Sequence, residues 1–135
     1  MEAIIDYLGG VQFAATAGGH KIISDQPVEF GGANAGMTPP ELMLASLGTC
    51  AGYYAAEYLK ARSLPSEVLR VRVIAEKAAQ PARLVKFRIE VESPGVEDVR
   101  HRDGVLRAVK RCLIHNTLLS APEVEVAVEQ LATIC

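Results

Sequence analysis

A run of fifteen residues without a charged side chain, 42–56, places the strongest constraint on how this chain can fold. Thr38 and Glu41 form a T-x-x-E capping box just before it, and Pro39 takes the first helical position, where its missing N–H is harmless. The pattern predicts a helix from Pro39 to about Arg62. At 1.5 Å per residue, this helix would be about 35 Å long, which is long for a chain of 135 residues.

The apolar side chains of this predicted helix cover all of its sides, so no face is left for solvent. They are Leu42, Met43, Leu44, Ala45, Leu47, Ala51, Tyr53, Tyr54 and Ala55. A chain of this size has little material with which to surround such a helix completely. We therefore predict a homodimer with this helix at its centre. The uncharged run is too short for a membrane span, which needs about 18 residues or more.

The rest of the sequence predicts antiparallel strands, a second helix and short turns. Apolar runs on either side of Gly9-Gly10 predict a hairpin, and Gly18-Gly19 predicts a second turn. Period-two alternation predicts strands over 67–77 and 82–93, each with one face in solvent. The remaining predicted elements are a short strand at 20–25, a glycine-rich loop at 30–36 whose backbone is crowded near a site or an interface, a helix from Val99 to about His115, and a strand from Glu123 to Leu131. Without parallel crossovers, this order indicates a single α+β domain over residues 1–135.

The charges are balanced and mixed along the chain, with 14 basic and 16 acidic residues and a net charge of -2. A nucleic-acid-binding domain would show a basic stripe or a pI above about 9. Neither a nucleic acid nor a membrane surface is therefore an expected partner. The N-terminal residues lack the charged region and cleavage site of a signal peptide, and we expect a cytoplasmic protein.

Two of the three cysteines are candidate reactive groups, and each also has a plainer interpretation. Cys50 lies among small residues, which leave space beside its sulfur for a ligand or for another helix. Cys112 follows Arg107, Lys110 and Arg111, and nearby cations favour a thiolate. Alternatively, these charges face solvent from a helix whose other side holds the cysteine. Either thiol could be buried filler, because free cysteine packs as a small hydrophobic residue.

A metal site is a third possibility, with Cys112 and His115 as two of its ligands. Structural zinc takes four ligands and usually a C-x₂-C pair, and His20 and His101 show no matching spacing. We therefore expect no metal and no other cofactor. Cys135 is the last residue of the sequence and is assigned no role.

Three segments of the sequence resemble the OsmC/Ohr family. The segment GGANAGMTPPELMLASLGTC (31–50) is similar to the family's first-cysteine segment, and LRAVKRCLIHNTL (106–118) to its second-cysteine segment. Between them, QPARLVKFRIEVESPGV (80–96) is similar to the family's P-A-R strand and Pro-Gly turn. The resemblance covers roughly residues 11–131. It implies an α+β fold that forms an intertwined homodimer, with two long cysteine-bearing helices at the centre and antiparallel sheets wrapped around them.

The resemblance also implies a function, because well-known members of the family are thiol-dependent peroxidases. By position, Cys50 would be the peroxidatic residue, which reduces an organic hydroperoxide or hydrogen peroxide and becomes a sulfenic acid. Cys112 would be the resolving residue, which condenses with that sulfenic acid before it is over-oxidised. An external dithiol, either a lipoyl protein or a small thiol, would then reduce the disulfide. Neither a metal nor a flavin takes part.

The sequence departs from the peroxidase branch of this family at two supporting positions. His20 lies near the place of an arginine that lowers the pKa of the reactive thiol, and Pro40 takes the place of a glutamate. Glu41 matches a P-x-E-L form of the motif, although a role in helix capping explains it more simply. By location, Arg83 and either Arg107 or Arg111 are possible substitutes for the arginine. These departures support a second hypothesis, a non-catalytic module that binds a small apolar or thiol-containing molecule or senses redox state.

Overall fold

The computed structural model describes residues 1–130. Along the chain, these residues form three strands, a long helix, two further strands and two short helices. This is an α+β arrangement with antiparallel sheets. The predicted fold class is therefore confirmed at the level of the single chain. None of the helices in this part of the chain is both long and apolar enough to cross a bilayer.

The strands form two separate antiparallel sheets. The first sheet has the order β1-β2-β3, with β1 at Ile4–Gly9, β2 at Gln12–Ala17 and β3 at His20–Ser24. The second sheet is a hairpin of β4, Arg70–Ala79, and β5, Ala82–Glu92. Both glycine-pair turns and both alternating strands are therefore confirmed. In β4 the partly buried positions alternate with exposed ones, as the period-two pattern predicts.

The long helix, α1, spans Pro39–Lys60 and begins with the predicted capping box. The hydroxyl of Thr38 accepts the backbone N–H of Glu41 at 3.4 Å, and the Glu41 carboxylate accepts the backbone N–H of Thr38 at 2.8 Å. That N–H and the Thr38 hydroxyl lower the pKa of Glu41. The two residues satisfy donors that the first turn of a helix would otherwise leave unpaired.

One face of α1 forms the core of the chain. Its buried residues are four apart in sequence, which places them on a single stripe: Leu47, Ala51, Ala55 and Leu59. The stripe packs against helix α2, Val99–Val109, and against the second sheet, with Val96, Val105 and Val109 as buried partners. The opposite face is open, since Tyr53 is 62% exposed. A single chain therefore buries only part of this apolar helix.

The glycine-rich loop before α1 is folded around a buried carboxylate, Asp25. Its oxygens accept N–H groups from Gln26, Ala33 and Ala35 and from the side chain of Gln12, at 2.8–3.0 Å. A side chain at Gly32 would collide with the Gln26 carbonyl, and one at Gly36 would collide with the Ile23 carbonyl. Crowding of this loop is therefore confirmed. Its cause is the closeness of the loop to the end of β3.

Replacing Asp25 with asparagine is expected to lower the melting temperature at neutral pH. The side-chain NH₂ of asparagine is a donor and would face backbone N–H groups that now donate hydrogen bonds to the carboxylate. The pKa of Asp25 is lowered from 3.8 to about 2. The N–H of Ala35 contributes most to this lowering, and Gln12, Gln26 and Ala33 also contribute, whereas burial of the carboxylate raises the pKa. The ionised form thus stabilises the fold above pH 4, and this contribution is lost as the pH falls towards 2. Melting curves recorded between pH 2 and 7 should show that the melting temperature changes less with pH in Asp25→Asn than in wild type. Equal pH dependence of the two proteins would contradict this role.

The structure corrects two predicted elements near the C-terminus. The helix predicted from Val99 to about His115 is wrong as a single element, because it breaks between α2 and a second short helix, α3, at Leu113–Leu119. The break lies at residues 110–112, between the end of α2 and the start of α3, and it places Cys112 against α1. The strand predicted over Glu123–Leu131 is also wrong in the described part, because residues 121–130 form neither helix nor strand and are exposed. Within residues 1–130 no strand pairs with them, and Leu131 is outside the described residues.

Candidate functional site

Cys50 lies in the fourth turn of α1 and is partly exposed. Its small neighbours Gly48 and Gly52 face the second sheet, where an added Cβ would lie 3.1 Å from Val73 and 3.5 Å from Val71 respectively. The small size of Gly48 therefore allows β4 to approach the helix closely, whereas a side chain at Gly52 would make an ordinary contact. A residue two positions away is turned by about 200° around a helix axis, so Cys50 faces away from β4. The other side of α1 at this level is occupied by α3.

Cys112 lies in the link between α2 and α3 and is completely buried. It is the N-cap residue of α3, and its sulfur accepts the backbone N–H of His115 at 3.4 Å. The backbone of Cys112 is non-helical, as is usual for an N-cap residue, and this interrupts the helical path between α2 and α3. This local geometry places the Cys112 thiol against the side of α1 that carries Cys50.

The two thiols lie beside each other, and the Cys112 thiol acts as the hydrogen-bond donor that helps to lower the pKa of Cys50. Burial by itself would raise the pKa of Cys50, but that donor and the backbone N–H groups of Ile114 and Leu113 stabilise the thiolate and lower the pKa overall. Burial raises the pKa of Cys112, and the hydrogen bond that it donates to Cys50 raises it further. The arrangement therefore favours a thiolate on the accessible sulfur and a neutral thiol on the buried one.

The pH dependence of alkylation should distinguish the two thiols. We expect Cys50 to react with iodoacetamide with an apparent pKa below the ordinary thiol value of about 8.5, because only the thiolate is nucleophilic. Changing Cys112 to alanine removes the S–H donor, so the Cys50 midpoint should move to higher pH. Mass spectrometry of the Cys50 peptide over a pH series measures both midpoints. A midpoint that stays in place in Cys112→Ala would show that the thiol contact does not stabilise the thiolate.

The structure does not bring the predicted supporting residues to the Cys50 sulfur. Glu41 is engaged in the cap of α1, and His20 is the exposed first residue of β3. Arg83 lies at the tip of the second hairpin, where its guanidinium donates to the carbonyls of Gln80, at 3.4 Å, and Pro81, at 3.0 Å. Arg111 precedes Cys112 and is exposed, in a groove between α1 and α2. The groups that lower the pKa of Cys50 are one thiol and two amides rather than any of these four side chains.

The Cys112 and His115 pair does not have the form of a metal-ligand pair in this geometry. The Cys112 sulfur contacts the backbone N–H of His115, and the histidine ring nitrogen Nδ1 lies 3.4 Å from the Asn116 side-chain oxygen. Within residues 1–130, no group of three or more His, Cys, Asp or Glu side chains is placed to hold a metal ion.

Sequence reasoning missed the two amides of Leu113 and Ile114, which donate to the Cys50 sulfur. Every residue other than proline carries a backbone N–H, so side-chain identity gives no signal for such a role. A helix start directly after Cys112 would have pointed to them, because the first N–H groups of a helix lack partners within it. The continuous apolar spacing of 105–113 concealed that start.

A model of the OsmC-like protein family matches residues 31–127, which is more than two thirds of the chain and contains both thiols. The chain belongs to the OsmC-like family. No curated protein matches it. Among solved structures, this OsmC-like chain is similar to an OsmC-like protein from Mycoplasma pneumoniae, with 21% identity, a TM-score of 0.69, and coverage of 82% of this chain and 80% of the other.

Two further solved structures share the fold. One is an organic hydroperoxide resistance protein OsmC from Legionella pneumophila, with 19% identity, a TM-score of 0.61, and coverage of 89% of this chain and 90% of the other. The other is a protein assigned to the osmotic stress and detoxification response of Psychrobacter arcticus, with 19% identity, a TM-score of 0.76 and 85% coverage of each chain. At these identities the likeness concerns the fold, which agrees with the α+β architecture of this OsmC-like chain.

Proposed function

We propose that this protein is a cysteine-based hydroperoxide reductase in which Cys50 attacks the peroxide and Cys112 resolves the product. The observation that supports this assignment is the closeness of the two thiols, at which Cys112 helps to lower the pKa of Cys50 and Cys50 helps to raise that of Cys112. The accessible sulfur is thus the more nucleophilic one, and the buried sulfur is held in contact with it.

In the first step, the Cys50 thiolate attacks the distal oxygen of a hydroperoxide. The O–O bond breaks, the distal oxygen stays on sulfur as a sulfenic acid, and the other oxygen leaves with a proton as an alcohol, or as water when the substrate is hydrogen peroxide. The amides of Leu113 and Ile114 hold the thiolate in place before the attack. These amides supply the stabilisation of the thiolate that an arginine would otherwise give. The thiol pair can therefore work although His20 takes the place of the arginine.

In the second step, the Cys112 sulfur attacks the Cys50 sulfenic acid. The new S–S bond forms as hydroxide leaves, and the proton of the Cys112 thiol converts it to water. An external dithiol then reduces the disulfide by exchange and is itself oxidised, which returns both cysteines to thiols. We place this cycle in the cytoplasm, where a lipoyl protein or a small thiol is available and free thiols persist. The relative from Legionella pneumophila bears the name organic hydroperoxide resistance protein, which supports the same reaction class here.

A peroxide pulse tests the assignment directly. One equivalent of an organic hydroperoxide should convert wild type to a form lighter by two hydrogens, with the Cys50 and Cys112 peptides joined in the digest. The Cys135→Ser variant serves as a matched control and should form the same linked peptide. A pulse that leaves both thiols free, or that joins Cys135 instead, would overturn the assignment.

We also propose that the functional unit is a homodimer centred on α1. The open face of the helix carries the exposed side chain of Tyr53, Met43 at the start of the helix is also exposed, and residues 121–130 present Val124, Val126 and Val128 at 78–93% exposure. Surfaces of this kind are normally covered in a folded protein. Light scattering should give about twice the mass of one chain, and Tyr53→Glu should shift the population towards the monomer. A wild-type protein that scatters as a monomer at micromolar concentration would exclude the dimer.

A second candidate function is a binding or redox-sensing module. It is favoured by an apolar pocket of about 380 Å³ between α1, β5, α2 and α3. Its lining is Leu47, Phe87, Ile89, Leu106, Val109, Lys110, His115, Leu118 and Leu119. Pockets that are mainly apolar with a few polar groups are typical of small-molecule sites. A small molecule that co-purifies with the protein, together with no linked peptide after a peroxide pulse, would favour this second function over turnover.

A further inference from the structure

The apolar pocket between α1, β5, α2 and α3 lies on the core side of α1. In its lining, α1 contributes Leu47, which belongs to the buried stripe of that helix. Tyr53, on the open face, follows six residues later. Six residues turn by about 240° around a helix axis, which leaves the two side chains about 120° apart. The surface proposed for the homodimer is the face of Tyr53, so the pocket lies outside that contact.

The body of the pocket is apolar. Of its nine lining residues, seven are apolar, and they come from all four of the elements that surround it. Two of them, Leu106 and Leu119, are 55% and 74% exposed, which places them at the mouth of the pocket. Each methylene group that moves from water into such surroundings contributes about 4-fold to an affinity. An alkyl chain would therefore cover these leucines and bind more tightly as its length increases.

One end of the pocket is polar and carries a positive charge. Lys110 and His115 complete the lining. Lys110 is the C-cap residue of α2 and His115 lies in the first turn of α3, so both lie beside the link between the two helices. None of the lining residues is acidic, and the ion pairs found within residues 1–130 do not involve Lys110. A carboxylate at this end would meet a cation without competition from an acidic side chain.

The pocket is connected with the thiol pair through His115. Its side chain lines the pocket, and its backbone N–H donates to the Cys112 sulfur at 3.4 Å. Cys112 is completely buried, so a reagent reaches its thiol only when the surrounding structure opens. The element most ready to open is α3, because a helix of seven residues is not stable by itself. A ligand that packs against Leu118 and Leu119 binds the closed form and opposes this opening.

We propose that this pocket binds an alkyl carboxylate, with the chain among the leucines and the carboxylate at Lys110, and that the bound ligand holds α3 closed over Cys112. The proposal rests on the second candidate function and deepens it, because it names the ligand class and a way in which the ligand controls access to a thiol. It does not require peroxide turnover. The bound ligand keeps the Cys112 thiol in its place beside Cys50.

Binding is tested by calorimetric titration of the reduced chain with octanoate, the uncharged analogue octanol and the longer homologue decanoate. We expect octanoate to bind more tightly than octanol, and decanoate to bind more tightly than octanoate by on the order of 10-fold. Lys110→Gln should weaken octanoate binding by about 3-fold and leave octanol binding unchanged. Arg100→Gln, an exposed cation of α2 outside the pocket, is the matched control. Equal affinity for octanoate and octanol, or an equal loss in Arg100→Gln, would overturn the carboxylate assignment.

Closure of α3 is tested by alkylation of Cys112 in Cys50→Ser, where the other thiol of the pair does not compete for the reagent. With free decanoate at about ten times its dissociation constant, alkylation of Cys112 by iodoacetamide should slow by about 10-fold, because only the open form reacts. Mass spectrometry of the Cys112 peptide over time measures the rate. When Cys50→Ser is combined with Lys110→Gln, the same slowing should need about 3-fold more decanoate. An alkylation rate that bound decanoate does not change would show that the ligand does not hold α3 closed.

These outcomes are separate from those of the peroxide pulse. If octanoate and octanol bind equally well, the pocket remains a binding site and the carboxylate class fails. If none of the three compounds binds and the pulse links Cys50 to Cys112, the ligand proposal fails and the peroxidase proposal stands. If decanoate binds through Lys110 and the pulse leaves both thiols free, the ligand proposal stands and the peroxidase proposal fails.

Discussion

Replacing Cys50 with serine is expected to remove hydroperoxide turnover supported by a dithiol, by a factor on the order of 10³ or more. A serine hydroxyl is not ionised near neutral pH, so the attacking thiolate is lost while the volume of the side chain changes little. The partly exposed position of Cys50 makes a large structural disturbance from this change unexpected. Consumption of peroxide, followed in the presence of excess dithiol, measures the effect. Wild-type turnover in Cys50→Ser would remove this residue from the mechanism.

Replacing Cys112 with serine should give a different failure. Cys50 still attacks the peroxide once, but no second thiol lies beside the resulting sulfenic acid. Repeated peroxide additions should therefore drive Cys50 to sulfinic acid, which the dithiol cannot reverse. Mass spectrometry should show a gain of two oxygen atoms on the Cys50 peptide of Cys112→Ser, and a linked Cys50–Cys112 peptide in Cys135→Ser. If Cys112→Ser survives repeated cycles as well as wild type, Cys112 has no resolving role.

Replacing Gly104 with alanine is expected to cost about 2 kcal/mol in the free energy of unfolding. Gly104 is buried in α2, and an added Cβ would overlap the hydroxyl and ring of Tyr58. The ring would have to leave its position, which breaks its contact with His101 and the stacking of Arg62. Overpacking of this kind costs up to about 3 kcal/mol, and the better helix propensity of alanine returns about 1 kcal/mol. Chemical denaturation measures the net loss.

Gly52→Ala is the matched control for this prediction, because Gly52 is also a helical glycine. Its added Cβ would lie 3.5 Å from the Val71 side chain, an ordinary contact. We expect Gly52→Ala to leave the free energy of unfolding unchanged or to raise it by up to about 1 kcal/mol. An equal loss of unfolding free energy in both variants would mean that the position of the Tyr58 ring does not depend on the small size of Gly104.

The features that the sequence predicted well depend on neighbours along the chain. The T-x-x-E pattern at Thr38 and Glu41 identified the start of α1 because its hydrogen bonds join residues three apart. The two glycine-pair turns are local in the same way, and they fixed the hairpins. The long uncharged run identified α1 as the central helix, although its burial in a single chain reaches only one face.

The features that the sequence missed depend on contacts between distant residues. Apolar spacing from Val105 to Leu113 is continuous, yet the chain turns at Cys112 so that its thiol meets Cys50, which lies 62 positions earlier. Periodicity reports which faces are apolar and cannot report a turn made for such a contact. The alternation of residues 123–130 likewise indicates two faces but not which strand would lie beside them.

The candidate site was predictable in part. The residues alone left Cys50 open as filler or a reactive group and Cys112 open as filler, a reactive group or a metal ligand, and the family resemblance was needed to relate them to each other. Arg83 and His20 were chosen by their positions in a motif, and neither side chain is among the groups that shift the pKa of Cys50. Asp25 escaped notice because its four donors come from separate places in the chain, including the side chain of Gln12.

The short helix α3 gives the protein a built-in spectroscopic reporter. With seven residues, it is too short to be stable by itself, and its first two amides donate to the Cys50 sulfur. When that sulfur gains an oxygen atom or loses its charge, these amides lose an acceptor. The ¹⁵N chemical shifts of Leu113 and Ile114 should therefore follow the titration and oxidation of Cys50 residue by residue, without any label on the cysteine itself.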